Sequence, residues 1–415
     1  MAQNKIKSNR DWHYKKIEKI AIFERGREPG SASYNRNMIG IRFIRVVDMS
    51  KSRTDILYTN RSLEGLKLCK TGDILIVLDG SPGIVRKDLM GAYSSGIRKV
   101  VLKSTDINYN FLYFILKSNI VQDKIAEYSQ GITIKHASSA LKHIDVPIPS
   151  LEEQNRIVYI LSTIERAIDL QEKIVVVVKL LKKAMMRKLF IEGIGHKEFK
   201  ETALEKLPSD WTEEKISDHC KILTGGTPDT KVKEYWQPKE IPWMRSGDIQ
   251  GKPIYSVKTY ISDIGLKNSN AKLLPKKSVV IALAGQGKTR GTCAPLEFEC
   301  SCNQSVVCLV PDKEVNYMYL YYYLTKLYTY IRNMTGDKDR GGLNKVLIGN
   351  IPLFLPKLDK QERIVSILFK LDEKLFLNET QRFILKQIFG ILLNKLINNG
   401  IKIDNLEVSD NVNRQ

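Results

Sequence analysis

The chain has 415 residues, 43% of them apolar, enough for two or more domains with well-filled cores. Lys and Arg outnumber Asp and Glu by 66 to 46, a formal charge of +20 that argues against a small neutral substrate and for a polyanion such as nucleic acid. The opening MAQNKIKSNRDW has no apolar signal core, apolar runs such as residues 174–178 are too short for a bilayer, and six cysteines fit a reducing compartment, so a cytoplasmic protein is expected.

In chain order, residues 1–150 read as a first α/β domain. It opens on Asp11-Trp12-(x3)-Lys16-Ile17 and continues through IRFIRVVDM (41–49), the glycine-rich basic turn LDGSPGIVR (78–86), NYNFLYFIL (108–116) and IDVPIPSLEEQNRIV (144–158). From residue 151, apolar residues recur three and four apart at Ile157, Leu161, Ile164, Ile168, Ile174, Val178, Leu181, Met185 and Leu189, with no Pro or Gly until Gly193. This predicts a helix over 151–192, a coiled-coil rod of about 57 Å, longer than a domain core needs. GIGHKEFKETALEKLP begins a charged linker over 193–210.

The same blocks then return in the same order. Asp210-Trp211-(x3)-Lys215-Ile216 opens a second domain, 211–357, followed by IPWMRSGDI (241–249), NYMYLYYYL (316–324) and IPLFLPKLDKQERIV (351–365). A second helix is predicted over 358–399, with Ile364, Leu368, Leu371, Leu375, Leu385, Ile388, Leu392 and Leu396 at matching positions, before a loose polar tail, 400–415. The chain is therefore a tandem pair of α/β units, each ending in a long helix that buries its stripe against the other.

The repeat also decides between readings of single motifs. Ala282, Gly287, Lys288 and Thr289 satisfy a relaxed phosphate-loop pattern, but Gly291 and Pro295 break the helix that must follow, and residues 78–86, the first-copy counterpart, lack Gly-Lys-Thr. Cys300, Cys302 and Cys308 share one parity and match Tyr93, Ser95 and Val101, which favours buried side chains over zinc ligands. Tyr317, Tyr319, Tyr321, Tyr322 and Tyr323 match a stretch containing Phe111, Phe114 and Ile115, which favours packing over base stacking. Glu213 and Glu214 suggest a nuclease carboxylate cluster, but the first copy has Tyr14 and Lys15 there.

Two α/β units with Pro149-(x4)-Gln154-(x2)-Ile157 and Pro356-(x4)-Gln361-(x2)-Ile364 at the helix starts resemble the DNA-specificity subunit of type I restriction–modification systems, from Trp12 to about Asn399. The second copy adds Gly-Thr-Pro at 226–228 before Trp236, Pro-Trp at 242–243 and Gly-Asp-Ile at 247–249. The first has Gly30-Ser-Ala-Ser and Arg42-Phe43 instead, as two heads reading different sequences would. The resemblance implies a mixed α+β fold with two pseudo-symmetric target-recognition domains joined by two long antiparallel coiled-coil helices. It implies a subunit that is not itself an enzyme and reads a bipartite, asymmetric site on double-stranded DNA. The partners implied are two methyltransferase subunits and two restriction (motor and nuclease) subunits. S-adenosylmethionine, ATP and Mg are expected on those partners and no cofactor or metal on this chain. A stand-alone two-headed DNA-binding regulator or architectural protein is the alternative.

Side chains suited to phosphates and base edges on loops are Arg45, Ser81, Arg86, Lys135 and His136 in the first copy. In the second they are Arg245, Gln286, Lys288, Arg290, Lys338 and Arg340. The expected helix seam runs through Ile157, Ile164, Gln171, Val178 and Met185, and through Ile364, Leu371, Asn378, Leu385 and Leu392. Gln171 and Asn378 are polar breaks near the helix midpoints that would hydrogen-bond across the seam and fix its register.

Overall fold

A computed structural model of the protein describes residues 12–50, 55–59, 65–131, 135–202, 205–285, 287–334 and 343–398. These fall into two compact units, residues 1–172 with 380–415, and residues 173–379.

The two units are built alike. In the first, a four-stranded antiparallel sheet runs Ala21–Arg25, Ile97–Leu102, Leu75–Val77, Val85–Arg86; in the second the order is Cys220–Thr224, Val306–Pro311, Ser278–Ala282, Cys293–Leu296. Leu75–Val77 and Ser278–Ala282 are buried on both faces, and the strand's period of two divides their side chains between two cores, whereas the neighbouring Ile97–Leu102 carries Arg98 and Lys99. Val279 and Ile281 join the core under the aromatic helix, while Val280 and Ala282 join Cys300, Cys302 and Cys308 on the other face. In the first unit Ile74 and Ile76 go one way, Leu75 and Val77 the other. Each unit also has a second sheet, five-stranded in the first unit and three-stranded in the second, containing one parallel pairing, Ala92 with Phe43 and Trp243 with Ser301.

Two helices follow each main sheet: α1 (Tyr109–Lys117) and α2 (Asn119–Glu127) in the first unit. α3 (Leu151–Ile191) begins there and runs on into the second unit, where α4 (Tyr317–Lys326) and α5 (Tyr328–Asn333) hold the matching places before α6 (Leu358–Asn398). Asn108 and Asn316 cap α1 and α4 by accepting from two backbone amides each. The tyrosines of α4 are core: Tyr319 and Tyr323 donate to the carbonyls of Phe354 and Pro352, both at 2.6 Å, and Tyr322 donates to Asp372 at 2.7 Å.

The Pro-(x4)-Gln spacing has a physical cause. Gln154 is fully buried, and its Oε1 accepts from the Asn108 amide at 2.7 Å while Nε2 donates to the carbonyls of Asp106 and Pro149 at 2.8 and 2.9 Å. Gln361 repeats this with the Asn316 amide and the carbonyls of Glu314 and Pro356 at 2.8, 2.8 and 3.0 Å. One buried amide thus ties the start of each long helix to the cap of the aromatic helix.

The long helices pair antiparallel within each unit. In the first, Leu161 shares a core with Leu393 and Leu396, and Glu172 meets Lys386 at 2.7 Å. In the second, Lys179 pairs with Glu379 at 2.7 Å, Lys182 with Asp372, and Leu189 shares a core with Ile364. Ile157, Val178 and Ile364 are buried and Ile164, Met185, Leu371, Leu385 and Leu392 half-buried. The sequence reading is corrected at three seam positions: Ile174, Leu181 and Ile388 are 38%, 47% and 41% exposed. A strict alternation of three and four residues places Val175 and Lys182 inward instead. Lys182 can sit there because its ammonium stands 5.2 Å from the centre of the Tyr322 ring and pairs with Asp372. Gln171 donates to Gln381 at 3.0 Å, whereas the amide of Asn378 turns back to its own helix, donating to the Lys374 carbonyl at 2.6 Å.

Candidate nucleic-acid interface

In the first unit the glycine turn leaves the sheet at Leu78. Gly80 and Gly83 take φ of +101° and +99°, conformations that a side chain would strain, and so fold the chain back to Val85–Arg86. A short strand, Lys135–His136, pairs antiparallel with Asp79–Gly80, so Lys135, His136 and Ser81 lie exposed around one turn. Asp79 anchors the cluster: its carboxylate accepts from Arg98 and meets His136 Nδ1, both at 2.9 Å. Burial would raise the Asp79 carboxyl, but the hydrogen bonds from His136 and Arg98 outweigh it and hold the group below the usual aspartate range.

Arg45 and Arg86 sit differently. The Arg45 guanidinium donates to both oxygens of buried Asp48, at 2.9 and 3.0 Å, and to the Asp55 carbonyl; Arg86 pairs with Asp88 and donates to the Asp48 carbonyl at 3.1 Å. Both guanidiniums converge on Asp48.

In the second unit the phosphate-loop lookalike is a hairpin. After Thr289 the chain turns at Gly291 and returns as Cys293–Leu296, paired antiparallel with Ser278–Ala282, so the turn is followed by a strand where a phosphate loop needs a helix. Lys288 is exposed at its tip, and Arg290, half-exposed, donates to the Arg332 carbonyl at 2.8 Å. Arg245 is exposed beside a short turn whose first amide, its own, is capped by Asp248 at 2.8 Å. Gln286, Lys338 and Arg340 lie outside the described residues. The Gly-Thr-Pro and Pro-Trp elements meet, since Trp243 donates to the Gly226 carbonyl at 3.1 Å and stands edge-on to Trp236 at 5.3 Å.

Three residues that hold these turns escape sequence reasoning: Gln122 on α2, and Tyr328 and Arg332 on α5. The only signal for them is position, the short helix after the aromatic helix in both copies. Among the described residues, no group of three or more His, Cys, Asp or Glu is placed to hold a metal ion, and no helix is long and apolar enough to cross a membrane. Burial pushes the Cys302 thiol up to about 12 and Cys308 to about 11, as expected of core side chains.

The family model for the type I restriction modification DNA specificity domain matches residues 9–180 and again 208–387. The type I restriction enzyme MjaVIII specificity subunit of Methanocaldococcus jannaschii is 22% identical over 421 residues, spanning 95% of this chain and 94% of that protein. The EcoR124I/EcoR124II specificity subunit of Escherichia coli is 25% identical over 157 residues, 37% of this chain and 38% of that protein. Among solved structures, the S subunit of a type I restriction–modification system from M. genitalium superposes with a TM-score of 0.62 at 18% identity, covering 95% of this chain and 98% of that one. A chain from a structure on complex assembly and conformational transition of the type I restriction–modification system gives 0.56 at 16% identity, covering 94% and 98%.

Proposed function

Since the chain belongs to the type I restriction–modification DNA specificity family, with two copies of its domain in tandem, we propose that it reads a bipartite, asymmetric DNA site, one half with each globular domain, and directs partner subunits to that site. The observation that carries this reading is the pair of glycine turns. Each leaves the same place in the same sheet order, yet one presents Ser81, Lys135 and His136 and the other Lys288 and Arg290. Matched scaffolds with unlike side chains suit two heads with different targets. Cations on such turns supply salt-dependent phosphate affinity, and the forked or amide side chains among them supply base readout in the major groove.

Catalysis belongs to the partners: methyltransferase subunits carrying S-adenosylmethionine, and restriction subunits carrying ATP and Mg. The long helices support such docking. Leu170, Val177 and Leu181 on α3, and Leu377, Ile384 and Ile388 at the equivalent positions of α6, are apolar, exposed and off the seam. A coiled coil facing only water has no use for a second apolar stripe, whereas one that receives a partner helix does. The same stripe on both helices fits two copies of one partner. The test is a map of N6-methyladenine in cells with and without the gene. Loss of methylation at one two-part motif supports the reading; an unchanged map contradicts it.

A further inference from the structure

Both glycine turns are gripped from the same place in the fold by chemically unrelated side chains. In the first unit, Gln122 on α2 donates through Nε2 to the Gly83 carbonyl at 2.9 Å and to the Leu116 carbonyl at 2.6 Å. The fit is close: a Cβ on Gly83 would stand 2.4 Å from the Gln122 Oε1. In the second unit, the Tyr328 hydroxyl on α5 donates to the Lys288 carbonyl at 2.9 Å. Arg332, one turn on, donates through Nη1 to the Arg290 carbonyl at 3.4 Å and to the Tyr328 hydroxyl at 3.3 Å, and its own carbonyl accepts from Arg290 at 2.8 Å. Here too a glycine sits against the brace, since a Cβ on Gly291, at φ +82°, would lie 3.4 Å from the Arg332 amide nitrogen.

A turn with several glycines at positive φ, Gly285, Gly287 and Gly291 in the second unit, has many conformations to lose on ordering. Phosphate contacts tolerate such freedom, because a long cationic side chain finds a phosphate from many backbone positions. Base readout does not, because paired donors must meet a base edge within a fraction of an ångström. We propose that Gln122, and Tyr328 with Arg332, are specificity-determining positioning residues: they contact backbone carbonyls of the two turns and fix the register in which each turn's side chains meet base edges. This rests on the proposed reading of DNA by these turns. The braces act separately, one per half-site, and their loss costs discrimination rather than attraction to DNA.

The test uses the full chain, with whatever subunits co-purify, selecting from a randomised duplex DNA library whose bound fraction is sequenced. For Tyr328→Phe combined with Arg332→Ala, preference at one half-site falls about tenfold or more. The other half-site is kept, total DNA retained at low salt changes less than threefold, and the melting temperature holds. Arg332→Lys, which keeps the charge and can still reach one carbonyl, restores part of the preference. Gln122→Leu does the same to the opposite half-site, and Gln122→Met, equal in length, serves if Gln122→Leu melts early. The proposal is overturned if the variants select the parent sequence, if either variant relaxes both half-sites, or if binding to all sequences falls equally, as loss of a phosphate contact would do. If the parent chain itself selects no sequence, the DNA reading fails and the braces fail with it.

Discussion

Lys288 and Arg45 carry the same charge, and their surroundings separate them. Lys288 stands free of the core at a turn, so Lys288→Ala should leave the melting temperature unchanged, weaken DNA binding and reduce the slope of log affinity against log salt by about 0.9 in a salt titration. Arg45 is tied to buried Asp48, so Arg45→Ala strands a carboxylate and should cost about 3 kcal/mol of stability in a denaturant titration. Loops with basic residues were legible in the sequence, but the partners that separate a displayed cation from a committed one were not. Arg86 is turned inward by Asp88 and by a carbonyl of residue 48, a tertiary neighbour that no spacing reveals. Asp79 adds a pH dependence. Its folded-state pKa is depressed, so its stabilisation is present above the ordinary aspartate value of about 3.9 and is lost as pH falls through the lower folded value. In acid-unfolding titrations, Asp79→Asn should therefore be less stable than the parent at neutral pH, and the gap should close below about pH 4.

Among the elements, the start of each long helix is where sequence and structure explain each other best. The Pro-(x4)-Gln spacing could be read twice in the chain, yet nothing in it said that the glutamine faces inward. The structure supplies the cause, three unpaired backbone groups that one amide can satisfy. Gln361→Ala should leave those groups buried and unmet, costing about 2–4 kcal/mol in a denaturant melt of the full chain, while exposed Glu362→Ala should cost under about 0.5 kcal/mol. The helices themselves were legible because heptad spacing persists for five turns or more, and the mixed α+β class because strands and helices alternate in blocks. The seam between them was less so. At 174–175 two adjacent apolar residues compete, and at 181–182 an apolar residue loses to a lysine whose acid partner, Asp372, lies far along the chain.

For the whole molecule, duplication is the main fact. The two copies share sheet order, helix caps and buried glutamines but differ in the side chains around their glycine turns, Ser81, Lys135 and His136 in one and Lys288 and Arg290 in the other. Under the proposed function, the register of the long helices would set the number of unread base pairs between half-sites. Inserting four residues into α3, about 6 Å of helix, should lengthen that gap or abolish recognition without altering either half-site, which methylome sequencing of cells carrying the insertion would show. The most direct measurement replaces residues 211–350 with the matching segment of a relative that has a different target and maps N6-methyladenine across the genome. The account predicts that one half of the methylated motif changes to the donor's half-site while the other half is retained. A motif that changes in both halves, or in neither, would contradict two independent reading heads.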